Sequence, residues 1–119
     1  MKSETQSTPI VCNMDVFTPL ERENHIQTTT QLFQSVQDIY EIENGYEFTF
    51  SNPDGSAILT RMAEFISNER LCCPFLKFMV TIETDPQPIS LILTGPEGTQ
   101  EFLRAEFTEY RSSGNEAFA

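Results

Sequence analysis

The chain has 119 residues, ten of them Phe and three Tyr, with a hydrophobic fraction of 39%; this suits one globular core rather than a disordered chain, which lacks the apolar surface to offset the entropy of ordering. Eighteen Asp and Glu against seven Lys and Arg give a formal charge of −11, which repels nucleic-acid phosphates and anionic lipid and argues against nucleic acid and membrane as partners. No stretch approaches the roughly 20 apolar residues of a membrane span, and the polar start Met1-Lys2-Ser3-Glu4-Thr5-Gln6-Ser7 has no apolar core for a signal peptide, so the expected location is the cytoplasm.

Residues 1–8 read as a disordered tail, after which Pro9-Ile10-Val11-Cys12-Asn13-Met14 is a short apolar run that suits an entry strand. Thr18-Pro19-Leu20-Glu21 carries a helix start: Thr18 caps, Pro19 is preset for the first helical position, and Glu21 completes a capping box. The spacing predicts a helix from Pro19 to about Val36. Next, Ile39–Glu43 and Tyr46–Phe50 flank Asn44-Gly45, a pair suited to a type I′ hairpin turn. Tyr46, Phe48 and Phe50 alternate with Glu47 and Thr49, which predicts one buried aromatic face and one face turned to water.

Asn52-Pro53-Asp54-Gly55-Ser56 reads as a loop and helix cap. Ile58, Leu59, Met62, Phe65 and Ile66 recur at helical spacing up to about Cys72, where Pro74 removes a donor and pushes Cys73 toward extended geometry. Leu76, Phe78, Val80 and Ile82 alternate as a strand, Asp85-Pro86-Gln87-Pro88 turns, and Ile89–Thr94 returns. Gly95-Pro96-Glu97-Gly98 leads into a helix from Thr99 to about Tyr110, buried through Phe102, Leu103 and Phe107. The expected fold is α+β: a single two-layer domain over residues 9–111, with an antiparallel sheet of about four strands and two or three helices on one face. Its element order is β-α-ββ-α-ββ-α, two helix-hairpin units and a covering helix, and residues 112–119 form a flexible C-terminal tail.

Three Cys is an odd number and two are adjacent, which is not the spacing of a secreted disulfide framework, so reduced thiols are expected. The cluster is Glu69-Arg70-Leu71-Cys72-Cys73-Pro74. At roughly 100° per residue, Glu69 falls within about 20° of Met62 and about 40° of Cys73, inside the apolar stripe. A carboxylate there has raised proton affinity and needs a partner. Two readings of it stand open: an ion pair with Arg22 or Arg70 or a bond to a backbone amide, or a proton shuttle and ligand beside the thiols.

Cys72 and Cys73 are either small core side chains or a thiol pair held for soft-metal or redox chemistry. Two adjacent Cys cannot complete a tetrahedral site, which makes Cys12 the natural third sulfur, with His25 or Glu69 as a fourth ligand. His25 shares an inward helix face with Thr29, Leu32, Phe33 and Val36, where it is either a satisfied core residue or that ligand. Met14 fits the core. The loop Thr94–Gly98 lacks a Lys and carries Glu97 where an anion would sit, which excludes a nucleotide site.

The segment Ile66–Phe78, which contains Glu69-Arg70-Leu71-Cys72-Cys73-Pro74-Phe75, and the later Leu93-Thr94-Gly95-Pro96-Glu97-Gly98 resemble a group of small uncharacterised bacterial proteins with an E-R-x-C-C-P-F motif and a later L-T-G-P-x-G. The resemblance extends to the Cys12 region and the first helix, and implies no activity or cofactor of its own. Three functions from different classes remain. The first is a soft metal or metalloid site, for an ion such as zinc or copper(I), through Cys72, Cys73 and Cys12. The second is a metal-free thiol enzyme or redox protein with Glu69 as acid and base to Cys72 or Cys73. The third is a non-catalytic acidic protein-interaction domain; in each case the expected state is a monomer or small homo-oligomer.

Overall fold

The computed structural model describes residues 9–51, 55–84 and 87–110. Its regular elements are α1 (Pro19–Gln34), β1 (Val36–Ile42), β2 (Gly45–Phe50), α2 (Gly55–Cys72), β3 (Lys77–Thr81), β4 (Ile89–Thr94) and α3 (Thr99–Tyr110), preceded by one 3-10 turn at Met14–Val16. The α+β class and both helix-hairpin units are present as expected. The entry strand is not. Asn13 accepts a hydrogen bond from the Asp15 amide at 3.0 Å and so bends the chain into the 3-10 turn. Its own amide donates to the Cys72 carbonyl at 2.7 Å, so the segment is tied to the end of α2 and joins no sheet.

The capping box starts α1 as read: Glu21 N donates to Thr18 Oγ1 at 3.2 Å and Thr18 N to Glu21 Oε1 at 2.9 Å. The first hairpin turns one residue earlier than Asn44-Gly45 suggests. Ile42 pairs with Gly45, so Glu43 and Asn44 form the loop and Asn44 alone takes a positive φ of 58°. Gly45 is spent instead on close packing, since a Cβ there would lie 1.9 Å from the Leu93 carbonyl oxygen of the neighbouring strand.

The sheet order is β1-β2-β4-β3, with every pairing antiparallel. The two hairpins thus meet through their second strands, giving each α-β-β unit an equivalent place. Tyr46, Phe48 and Phe50 on β2 and Ile89, Leu91 and Leu93 on β4 are buried on the face that all three helices cover. Phe33 of α1 is the hub, with ring centroids 4.9 Å from Phe48, 5.3 Å from Phe65 and 4.4 Å from Phe107, spacings at which aromatic pairs add to plain burial. Thr49 turns to the opposite face as alternation requires, yet it is buried there rather than solvated, flanked by Asp38 and Ser90 across the middle of the sheet. On β3 the alternation weakens, because Val80 and Ile82 near the sheet edge are exposed.

The cap at Asn52–Asp54, the Asp85-Pro86 part of the second turn and the two tails lie outside the described residues. Among the described residues no helix is long and apolar enough to cross a membrane.

Candidate thiol and metal-ligand site

Three segments meet at the C-terminal end of α2. The helix closes with Cys73 N donating to Glu69 O at 2.8 Å, and Leu76 N then donates to Cys73 O at 3.1 Å, so Pro74 falls in a turn where its missing N–H costs nothing. The Asn13 amide satisfies the Cys72 carbonyl, one of the helix-end acceptors, and this bond brings Cys12 to the same place. Gly95 and Gly98 underlie the other side. A Cβ at Gly95 would lie 3.0 Å from the Phe75 carbonyl oxygen, and Gly98, at φ +102°, has Ile10 Cδ1 3.0 Å from where its Cβ would stand. The Leu93–Gly98 segment therefore packs against the thiol-bearing turn and the Cys12 segment together.

Cys12 and Cys73 form a disulfide across a sequence separation of 61. This corrects the expectation of three reduced thiols: the odd count leaves Cys72 as the free cysteine, and the spacing rule failed because Cys12 is delivered by an irregular segment that sequence spacing does not report. Sequence alone leaves open whether Cys12 lies beside the pair; the fold brings it there. Cys72 and Cys73 are each 1% exposed, while Cys12 is half-buried against the core edge.

Glu69 is the centre of the cluster. Its Oε1 lies 2.7 Å from His25 Nε2 and 3.7 Å from Cys72 Sγ, and its Oε2 lies 3.4 Å from Cys73 Sγ. In the disulfide Cys73 carries no proton, so the last contact becomes a hydrogen bond only on reduction. Cys72 Sγ also stands 3.6 Å from Cys73 Sγ and 3.6 Å from the Glu69 carbonyl oxygen. Neither arginine expected beside Glu69 is its partner: Arg22 pairs with Asp15 at 3.5 Å, and Arg70 points outward, exposed.

His25 is held from α1 between two rings, with centroids 5.4 Å from Phe17 and 5.9 Å from Phe65. Thr29 does not hydrogen-bond the imidazole; its hydroxyl donates back to the His25 carbonyl at 2.8 Å. That leaves His25 Nδ1 buried without a hydrogen-bond partner among the described residues. Sequence reasoning missed Phe17, Phe65 and the Asn13 amide as parts of the site. Two inward-facing ionisable groups, on α1 and α2, were the available signal for the His25–Glu69 pair.

Burial pushes the Cys72 thiol up to about 12, and the neighbouring Glu69 carboxylate, by charge and by hydrogen bond, adds to the rise. A buried neutral thiol is a poor nucleophile. Two sets of possible ligand atoms, each within 4.8 Å, share Glu69: Cys12 with Cys73, and His25 with Cys72. All five residues singled out from the sequence therefore come together. No family model matches the chain, and neither a curated protein nor a solved structure shows significant similarity to it.

Proposed function

We propose that the reduced protein binds a soft metal or metalloid ion through Cys72, Cys73 and Cys12, with Glu69 and His25 completing or orienting the ligand set. The observation that carries this is the convergence of three sulfurs, a carboxylate and an imidazole from three chain segments in one nearly dry site. Thiolate-rich sites select zinc, copper(I) and other soft ions, and a carboxylate bound to a histidine ring nitrogen is a common support for a ligand. His25 Nδ1 is buried without a hydrogen-bond partner among the described residues, so the imidazole keeps one ring nitrogen uncommitted beside the cluster.

In the oxidised protein Cys73 and Cys12 are consumed by the disulfide, so binding requires reduction. The test is titration of the reduced chain with Zn²⁺, Cu⁺ and arsenite against a Cys72→Ser, Cys73→Ser double variant. The expected result is at least about a hundredfold loss of affinity in the variant for the ion bound best. Equal affinity of variant and parent overturns the reading.

The Cys12–Cys73 disulfide itself favours a second reading, a metal-free thiol redox protein in which the reversible bond is the function and Glu69 exchanges protons with Cys73. Failure of the reduced chain to bind any of the three ions, together with reversible cycling of the disulfide, selects it.

A further inference from the structure

We propose that Cys12 is the point of entry for thiol exchange: a small-molecule thiol opens the Cys12–Cys73 disulfide by attacking Cys12 Sγ, and Cys12 carries the resulting mixed disulfide. This goes beyond the ion reading and does not depend on it.

Thiol–disulfide exchange is set by access, by which sulfur is attacked and by how well the other sulfur leaves. Access distinguishes the two. Cys73 is 1% exposed at the end of α2, whereas Cys12 is half-buried on an irregular segment. Attack on Cys12 expels Cys73, and Glu69 Oε2 stands 3.4 Å from that sulfur, placed to accept a hydrogen bond from the Cys73 thiol once it is protonated. Cys12 lies outside the regular elements between the exposed Val11 and Asn13, so its side chain can turn toward solvent with its mixed disulfide while the Asn13 amide keeps the backbone on α2 and Cys73 stays on the helix end.

The internal alternative is attack by Cys72, whose Sγ is 3.6 Å from Cys73 Sγ. It would join two neighbouring residues in a strained eight-membered ring, with Cα atoms about 3.8 Å apart across a trans peptide, well short of the roughly 5.5–6 Å commonest for disulfides. Cys72 is also wrapped by the carbonyl and carboxylate oxygens of Glu69, which hold its proton. Cys72 therefore stays a thiol through the exchange.

The balance is as follows. The external thiol ionises, its sulfur bonds to Cys12 Sγ, and the Cys12–Cys73 bond breaks with its electron pair going to Cys73 Sγ, which takes up the proton. A second external thiol attacks the external sulfur of the mixed disulfide and releases Cys12 as a thiol. Two external thiols are oxidised to one disulfide, and the protein disulfide is reduced to two thiols.

The test uses the oxidised full chain and glutathione, with acid quenching, alkylation under denaturing conditions and peptide mapping. The expected result is glutathione on Cys12 in more than about nine of ten adducts, with Cys72 and Cys73 alkylated. Glutathione mainly on Cys73 or Cys72, or accumulation of a Cys72–Cys73 or Cys12–Cys72 disulfide, overturns the proposal. So does an intact disulfide under conditions that reduce the same bond in the denatured chain.

Discussion

Glu69 Oε1 and His25 Nε2 lie 2.7 Å apart, on side chains 5% and 3% exposed, and join α1 to α2 through one buried polar bond. Removing one member of such a pair leaves the other buried and unsatisfied, at a cost of about 1–3 kcal/mol. His25→Ala is expected to lower the melting temperature by on the order of 10 °C, and a His25→Leu, Glu69→Leu double variant to recover most of that loss. Thermal unfolding of the three proteins checks it; a double variant less stable than His25→Ala contradicts it.

The disulfide closes a loop with a sequence separation of 61, long enough for its constraint on the unfolded chain to be worth about 2–4 kcal/mol. Cys12→Ser in the oxidised protein, or reduction of the parent, should lower stability by that amount in urea unfolding, with the two treatments agreeing. If reduction leaves the midpoint unchanged, the bond is not a structural constraint.

Cys72 sets a pH dependence. Its thiol, pushed up to about 12 from an ordinary 9.0 by burial and by Glu69, keeps its proton in the folded chain after the unfolded chain has lost it. The contribution is fully present below about pH 9 and falls as pH rises from there toward 12, by up to about 1.4 kcal/mol per pH unit. Cys72→Ala should remove this slope between pH 9 and 11, measured by unfolding midpoints at each pH. A parent and variant with parallel pH profiles would refute the assignment.

Gly45 faces the β4 backbone so closely that a Cβ would sit 1.9 Å from Leu93 O. Gly45→Ala should therefore destabilise the fold by about 3 kcal/mol or more through separation of β2 and β4. Gly98→Ala, at φ +102° with Ile10 at its side, should cost about 1–3 kcal/mol. Comparable stability of both variants and the parent would rule out these packing arguments.

The helices, the two hairpins and the buried aromatic face were legible because they rest on local periodicity and caps: Thr18 with Glu21, Tyr46 with Phe48 and Phe50, Leu103 with Phe107. The hairpin register slipped because Asn44-Gly45 is a local signal, whereas the need for a glycine at 45 comes from a strand 48 residues later, at Leu93. The entry strand failed for a similar reason. Pro9–Met14 has the apolar content of a strand, but the Asn13 side chain and the Cys72 carbonyl decide its path.

Each member of the site was visible singly as a misplaced polar or sulfur-bearing side chain. Their pairing was not. Charge alone offers Arg22 or Arg70 as one kind of partner for Glu69, while packing of α1 on α2 hands it His25. The same packing puts Phe17 and Phe65 around the ring, where no motif marks them. The Cys12–Cys73 bond depends on a tertiary meeting of residues 61 apart in sequence, and counting or spacing cysteines does not reveal it.

The central claim is that the reduced cluster is a soft-ion site, and native mass spectrometry with thiol counting on the reduced protein tests it most directly. The protein is measured before and after exposure to Zn²⁺, Cu⁺ and arsenite. The account predicts one stoichiometric ion that protects two or three of the thiols of Cys12, Cys72 and Cys73 from alkylation. No retained ion, with the same alkylation of Cys12, Cys72 and Cys73 before and after exposure, would contradict it.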